Sequence, residues 1–199
     1  MRDLILATHN LNKVEEMRQA LQGLPFRILS ASDIPGGLPE VVEDGITLLF
    51  NAKKKAKSAA AATGLLALAD DTGLEVEALE GAPGVYSARY AGEKATYDEN
   101  NRKLLAELAA LGKPSRKAVF RTVLSLVEPA PSKREDWVEG RVEGLITERL
   151  SGSQGFGYDP VFYVPELGKT FAELSLEQKN QVSHRGRALK KLRETLARW

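Results

Sequence analysis

An α/β fold with a mixed sheet is the class this sequence predicts, on three observations. Apolar runs bounded by turn residues alternate with segments of helical period through the front of the chain. Two long stretches follow, joined by a Pro-containing connection, and read as an antiparallel hairpin. A last helical segment closes the chain, so strand–helix alternation gives way to a hairpin, as a mixed sheet requires.

Residues 4–8 are an apolar run ending in Thr8-His9-Asn10, and Val14, Met17 and Leu21 follow at helical spacing with Gly23 as a stop. This reads as strand, tight turn, helix. Residues 27–31 predict a second strand, and residues 32–45, with Pro35, Gly36, Gly37 and Pro39, a loop. An alanine-rich helix spans 47–63 and stops at Gly64, and a buried-type strand over 65–69 runs into an Asp70-Asp71-Thr72-Gly73 turn. Residues 82–92 are Gly- and Pro-punctuated loop, and Thr96-Tyr97-Asp98-Glu99 is a capping box opening a helix to Leu111, closed by Gly112. Residues 118–128, with Phe120, Leu124 and Leu126 on one parity, and residues 137–147 form the hairpin strands, connected by 129–136. After the glycine-rich stretch 151–160 come a short strand, 161–164, and a helix from about 183 to 199.

The 199 residues hold 28 Lys plus Arg and 27 Asp plus Glu, a net charge of +1. The length predicts a single domain over 1–199, with room for two lobes. With 43% apolar and 28% charged residues the chain fits a soluble globular protein. Without cysteine there is no disulfide, thiolate metal site or cysteine nucleophile, and His9 and His184 are the only imidazoles, so any metal must sit on oxygen. Residues 1–8 lack the basic lead of a signal peptide, and the longest uncharged stretch, 58–69, is too short to span a bilayer. A cytoplasmic protein without membrane or nucleic-acid partners is expected, the last because charge is balanced.

Three clusters point to chemistry. Asp70 and Asp71 leave the end of an apolar strand, where open α/β sheets place ligands, and hard carboxylate oxygens suit Mg²⁺. An Asp-Asp-Thr-Gly segment is equally ordinary turn composition. Residues 8–13 form a strand-to-helix turn whose amides and dipole face any anion, with Lys13 adding charge, although Asn10 would equally serve as a helix cap. The third cluster is Gly155-Phe156-Gly157-Tyr158-Asp159-Pro160 with Lys179, Asn180, Ser183, His184 and Arg185. Its rings offer a stacking surface, and Arg or His can donate to the O6 and N7 acceptors of a 6-keto purine, unless Phe156 and Tyr158 are core and Ser183 a cap. Together the clusters make an inventory for a nucleoside triphosphate.

Two other motifs do not hold. Gly168-Lys169-Thr170 resembles a phosphate loop, but Tyr163 stands where its first glycine belongs, and Gly155-Phe156-Gly157 begins a dinucleotide fingerprint that Pro160 ends. The run Lys53, Lys54, Lys55 and Lys57 reads first as a solvated helix face.

The segments 7–13, 69–74, 83–92, 155–160 and 177–185 closely resemble, in order, the motifs of the inosine triphosphate pyrophosphatases, which act on non-canonical purine nucleoside triphosphates. The resemblance spans nearly the whole chain. It implies Mg²⁺-dependent cleavage of dITP, ITP and XTP to the monophosphate and pyrophosphate by a homodimer. It also implies a two-lobed α/β fold, with a long central mixed sheet flanked by helices and the active site in the cleft between the lobes. Carried over by motif, Thr8, His9, Asn10, Leu11, Asn12, Lys13 and Lys179 would hold phosphates. Asp71 would bind the metal and accept the proton of the attacking water. Thr72 would touch substrate, and Phe156, Gly157, Tyr158, Asp159, His184 and Arg185 would form the base pocket. A metal-linked glutamate is implied before the second helix, Glu43 by spacing to Asn51, with Glu40 the alternative, and Lys55 matches a lysine kept in that helix.

The chain departs from the family at Phe50, where many bacterial members have Glu, at His9 in place of Gly or Ser, and at Thr72 in place of Ser. Competing readings are a nucleotide sensor without hydrolysis and a phosphatase releasing orthophosphate, both decided by the products.

Overall fold

The structure, a computed structural model, describes residues 1–197 and 199. Strands and helices follow in the order β1 (Arg2–Leu6), α1 (Leu11–Ala20), β2 (Phe26–Leu29), α2 (Leu48–Thr63), β3 (Leu66–Val76), β4 (Pro83–Gly84), α3 (Tyr97–Ala110), β5 (Lys117–Val127), β6 (Glu135–Ile146), β7 (Phe162–Val164), β8 (Lys169–Thr170), α4 (Leu176–Val182) and α5 (His184–Leu196). The eight strands form one mixed sheet in the order β2-β1-β3-β5-β6-β7-β8, with β4 paired to β3. The α/β class with a mixed sheet is as the sequence predicts. Among the described residues no helix is long and apolar enough to cross a membrane.

The chain divides into two compact units. The first comprises Met1–Asp71, Thr122–Gly140 and Arg187–Trp199, and the second Thr72–Arg121 and Arg141–Gly186. In the first, β1 runs parallel to β2 (Leu4 opposite Ile28) and to β3 (Ile5 opposite Ala67). Strand side chains alternate between faces, and β1 divides accordingly. Leu4 and Leu6 pack with Val14, Met17 and Leu21 of the first helical segment and with Ala188, Leu189 and Leu192 of α5. Ile5 and Ala7 meet Ala56, Ala59 and Ala60 of α2, whose small side chains let helix and sheet approach closely. Each large side chain fully buried here contributes about 1.5–3 kcal/mol.

In the second unit Leu74 and Val76 of β3 pack with Leu104 and Leu108 of α3, and with Phe120, Phe162 and Phe171. The Phe120 and Phe162 rings meet at a centroid distance of 4.9 Å. The capping box forms as read: Thr96 Oγ1 accepts from the Glu99 amide at 3.2 Å, and Glu99 accepts from the Thr96 amide at 2.7 Å.

Besides the short strands β4, inside the expected loop, and β8, two features differ from expectation. Strand β3 does not end at Ala69 but continues through Asp70, Asp71, Thr72 and Gly73 to Val76. Its far end pairs with β4, Leu74 opposite Gly84, so long-range pairing overrides turn composition. The segment before Ser183 contains α4, whose seven residues are too few to display a period; its signal is the capping box of Ser175 and Gln178.

Candidate active site

Asp70 and Asp71 are successive strand residues, so their side chains point to opposite faces of β3, and each meets its own lysine. Lys13 Nζ lies 2.9 Å from Asp70 Oδ2, which is wholly buried. Lys55 Nζ lies 3.5 Å from Asp71 Oδ1 and 3.1 Å from Glu43 Oε1. Three carboxylates thus face two ammonium groups, one negative charge in excess.

Burial pushes the Asp71 carboxyl up to about 6, against the pull of Lys55 and with the added repulsion of Glu43. Burial works the same way on Glu43, but the charge of Lys55 and hydrogen bonding with Asp71 and Lys55 outweigh it and hold that carboxyl low. Lys55 is itself desolvated, yet Asp71, Asp70 and Glu43 keep its ammonium above the ordinary lysine range. Asp71 Oδ2 is buried and receives no hydrogen bond among the described residues. Two adjacent carboxylates, one with an oxygen unclaimed by any donor, fit a magnesium ion, which is commonly held by one or two carboxylates with waters and phosphates completing its shell. The excess negative charge points the same way, since a polyanionic substrate would otherwise be repelled.

At the start of α1, Asn10 is the cap. Its side chain accepts from the Asn12 and Lys13 amides at 3.0 and 3.3 Å, while Thr8 Oγ1 accepts from the Asn10 amide at 3.2 Å. His9, Leu11 and Asn12 are exposed around this turn. The loop carrying Glu43 is braced by Asn51, wholly buried, whose Oδ1 accepts from the Gly45 amide at 2.8 Å. Phe50 lies over Gly45, and Glu40 is exposed.

The second unit gathers the C-terminal motifs. Lys179 Nζ sits 2.5 Å from Asp159 Oδ2, both buried, and 4.6 Å from the centroid of the Phe156 ring. Asp159 Oδ2 also accepts from the Phe156 amide at 2.7 Å. Arg185 lies 5.5 Å from the same ring, and its Nη2 donates to Thr72 Oγ1 at 3.1 Å. This turn requires Gly155: its φ is +73°, and a Cβ there would come within 2.1 Å of Asp159 Oδ2. Gly186 is equally fixed, since a Cβ would meet the Asn180 carbonyl oxygen at 1.8 Å where α4 and α5 adjoin.

The profile of the Ham1 family matches residues 4–195. The chain belongs to the Ham1 family. A dITP/XTP pyrophosphatase of Desulforamulus reducens is 52% identical over 195 residues, covering 98% of this chain and 96% of that one. One from Thermus thermophilus is 51% identical over 191 residues, covering 96% and 90%. Among solved structures, a HAM1 protein from Coxiella burnetii matches with a TM-score of 0.90 at 41% identity over 100% of both chains. A nucleoside-triphosphatase, dITP/XTP pyrophosphatase, from Mycobacterium abscessus matches with 0.75 at 40% identity over 96% and 98%.

Within this Ham1 chain, the first unit brings together Lys13, Glu43, Lys55 and Asp71, and the second Thr72, Phe156, Asp159, Lys179 and Arg185. Of the four lysines in the run, Lys53 and Lys57 reach Glu135, Lys54 reaches Asp44, and Lys55 alone joins Glu43 and Asp71. Lys179, expected at phosphate, is held by Asp159 beside the aromatic turn. Tyr158 lies in the core and donates to the Ser87 carbonyl at 2.8 Å, and His184 stacks on Phe120 at 4.3 Å with the rings 9° apart. Sequence reasoning offered Asp70 only as one of a pair of metal-suited carboxylates and missed the bracing amide of Asn51. A buried asparagine in an alanine helix has no periodic signature, and Asp70 shows its purpose only once Lys13 is beside it.

Proposed function

We propose that this Ham1-family protein hydrolyses dITP, ITP and XTP to the nucleoside monophosphate and pyrophosphate. The single observation that carries this is the arrangement on β3: Asp71 clustered with Glu43 and Lys55, followed at once by Thr72, which receives Arg185. The names of its relatives, dITP/XTP pyrophosphatases at 52% and 51% identity, support the substrate class.

Asp71 and Glu43 would hold a magnesium ion, which supplies Lewis-acid polarisation of phosphate oxygens and neutralises their charge. Asp71, beside the ion, would take the proton of the water that attacks the α-phosphorus. Lys13 and Lys55 offset charge on the departing pyrophosphate, and the turn at Thr8 to Asn12 adds hydrogen-bonding groups for the phosphates. Such catalysis is mainly orientation and electrostatics.

The base falls to the second unit. Phe156 offers a ring face, and Lys179 and Arg185 offer donors to the O6 and N7 acceptors of a 6-oxopurine. We assign Lys179 here rather than to phosphate because of its pairing with Asp159. Adenine, with an N6 donor in place of O6, would set donor against donor and is rejected. His184 and Tyr158 back the pocket through the core. A homodimer acting in the cytoplasm completes the reading, and sedimentation tests the dimer.

The test is a panel of dITP, XTP, ITP, GTP and ATP with Mg²⁺, identifying both products. Monophosphate plus pyrophosphate from the first three is expected; orthophosphate, or binding without turnover, would overturn the proposal.

A further inference from the structure

Helix α3 touches the aromatic turn at two points one helical turn apart. The Asn101 side-chain amide donates to the Gly157 carbonyl at 2.8 Å, and the Tyr97 ring lies 5.9 Å from that of Phe156 at an interplanar angle of 42°. Residues four apart share a helix face, so one face of α3 presents both groups. Asn101 is only 3% exposed, and its Oδ1 is buried without a hydrogen-bond partner among the described residues. An apolar residue would avoid the cost of that unsatisfied acceptor. The amide therefore has one function its burial can account for, which is to fix the Gly157 carbonyl. The neighbouring Asn100 anchors a different segment, accepting from the Ala91 amide at 2.7 Å and donating to the Ala88 carbonyl at 3.1 Å.

We propose that Asn101 is a positioning residue for nucleobase recognition, setting the attitude of the Phe156 ring through the Gly157 carbonyl. Besides the Tyr158 hydroxyl on the Ser87 carbonyl, the turn is tied on its Asp159 side, where the Phe156 amide and Lys179 converge on one carboxylate oxygen. Gly157, at a φ of +63°, is the free-turning link between these ties. Holding its carbonyl from α3 removes that freedom and presents Phe156 to the base in one orientation, with Tyr97 closing its edge. The inference rests on the assignment of this turn to the base.

The test compares wild type with Asn101→Ala and with Asn101→Asp, which keeps the shape but sets a carboxylate against a carbonyl oxygen. In Asn101→Ala, KM for dITP should rise about tenfold with kcat within about twofold, as loss of one buried hydrogen bond predicts. Asn101→Asp should be worse. Inhibition by inorganic pyrophosphate, which engages the Asp71 and Lys55 side, should not change. Hydrogen exchange supplies a readout independent of turnover: the Phe156 to Asp159 amides should exchange about tenfold faster in Asn101→Ala, while those of α3 keep their wild-type rates. Equal acceleration throughout α3 and the core would make Asn101 a packing residue only and overturn the proposal, as would an unchanged KM. Wild type that fails to release pyrophosphate defeats the proposed function instead, and the exchange comparison then still decides whether Asn101 holds the turn.

Discussion

Arg185 donates to the hydroxyl of Thr72 at 3.1 Å, and Thr72 is the residue that follows Asp71 on β3. The hydroxyl that receives this buried guanidinium thus stands one residue along the backbone from the carboxylate assigned to the chemistry. Thr72→Ser keeps the acceptor and should leave kcat/KM for dITP within about twofold. Thr72→Val removes that acceptor from a buried guanidinium and should lower kcat/KM by about tenfold or more. Steady-state kinetics on the two variants check this.

Asp71→Asn preserves size but cannot take a proton. Turnover should fall by at least about 100-fold, while binding of the nucleotide stays measurable by calorimetry. Near-normal turnover would remove Asp71 from the reaction.

Mg²⁺ should raise the melting temperature of the wild type. At ten times the dissociation constant, linkage gives about 1.4 kcal/mol, or a shift of about 3–6 °C. In Glu43→Gln and Asp71→Asn the shift should shrink or vanish, as thermal melts with and without chelator would report. Lys55→Met removes the cation between the two carboxylates, so its metal-free form should melt lower and gain more from Mg²⁺ than wild type does.

The α3 capping box gives a pH dependence. Glu99 accepts first from the Thr96 amide and then from its hydroxyl, which holds the carboxyl below its ordinary value. A depressed carboxylate stabilises the fold above the unfolded value of 4.5 and loses that contribution as pH falls through the folded value. Thr96→Ala should cost about 1 kcal/mol at neutral pH. The gap between wild type and variant should narrow below about pH 4, measured by urea melts at both pH values.

What could be read from the chain was local. The run Leu4–Leu6 with Val14, Met17 and Leu21, the Gly64 stop and the Thr96-Glu99 box each act over a few residues, and each appears where the sequence places it. The course of β3 was not legible, because Asp-Asp-Thr-Gly has turn composition and only strand pairing and two distant lysines make it strand. Likewise the Phe156 motif marks the aromatic turn, but that Tyr158 faces the core while Phe156 stays half-exposed depends on Ser87 and on Phe120, far away in sequence. Glu43 could be favoured over Glu40 by spacing alone; that it pairs with Lys55 was not legible in the chain.

Hydrolysis of dITP in ¹⁸O-enriched water tests the central claim most directly. If water directed by Asp71 attacks the α-phosphorus, one labelled oxygen appears in the monophosphate and the pyrophosphate stays unlabelled. Label in the pyrophosphate, or orthophosphate as the product, would contradict the account.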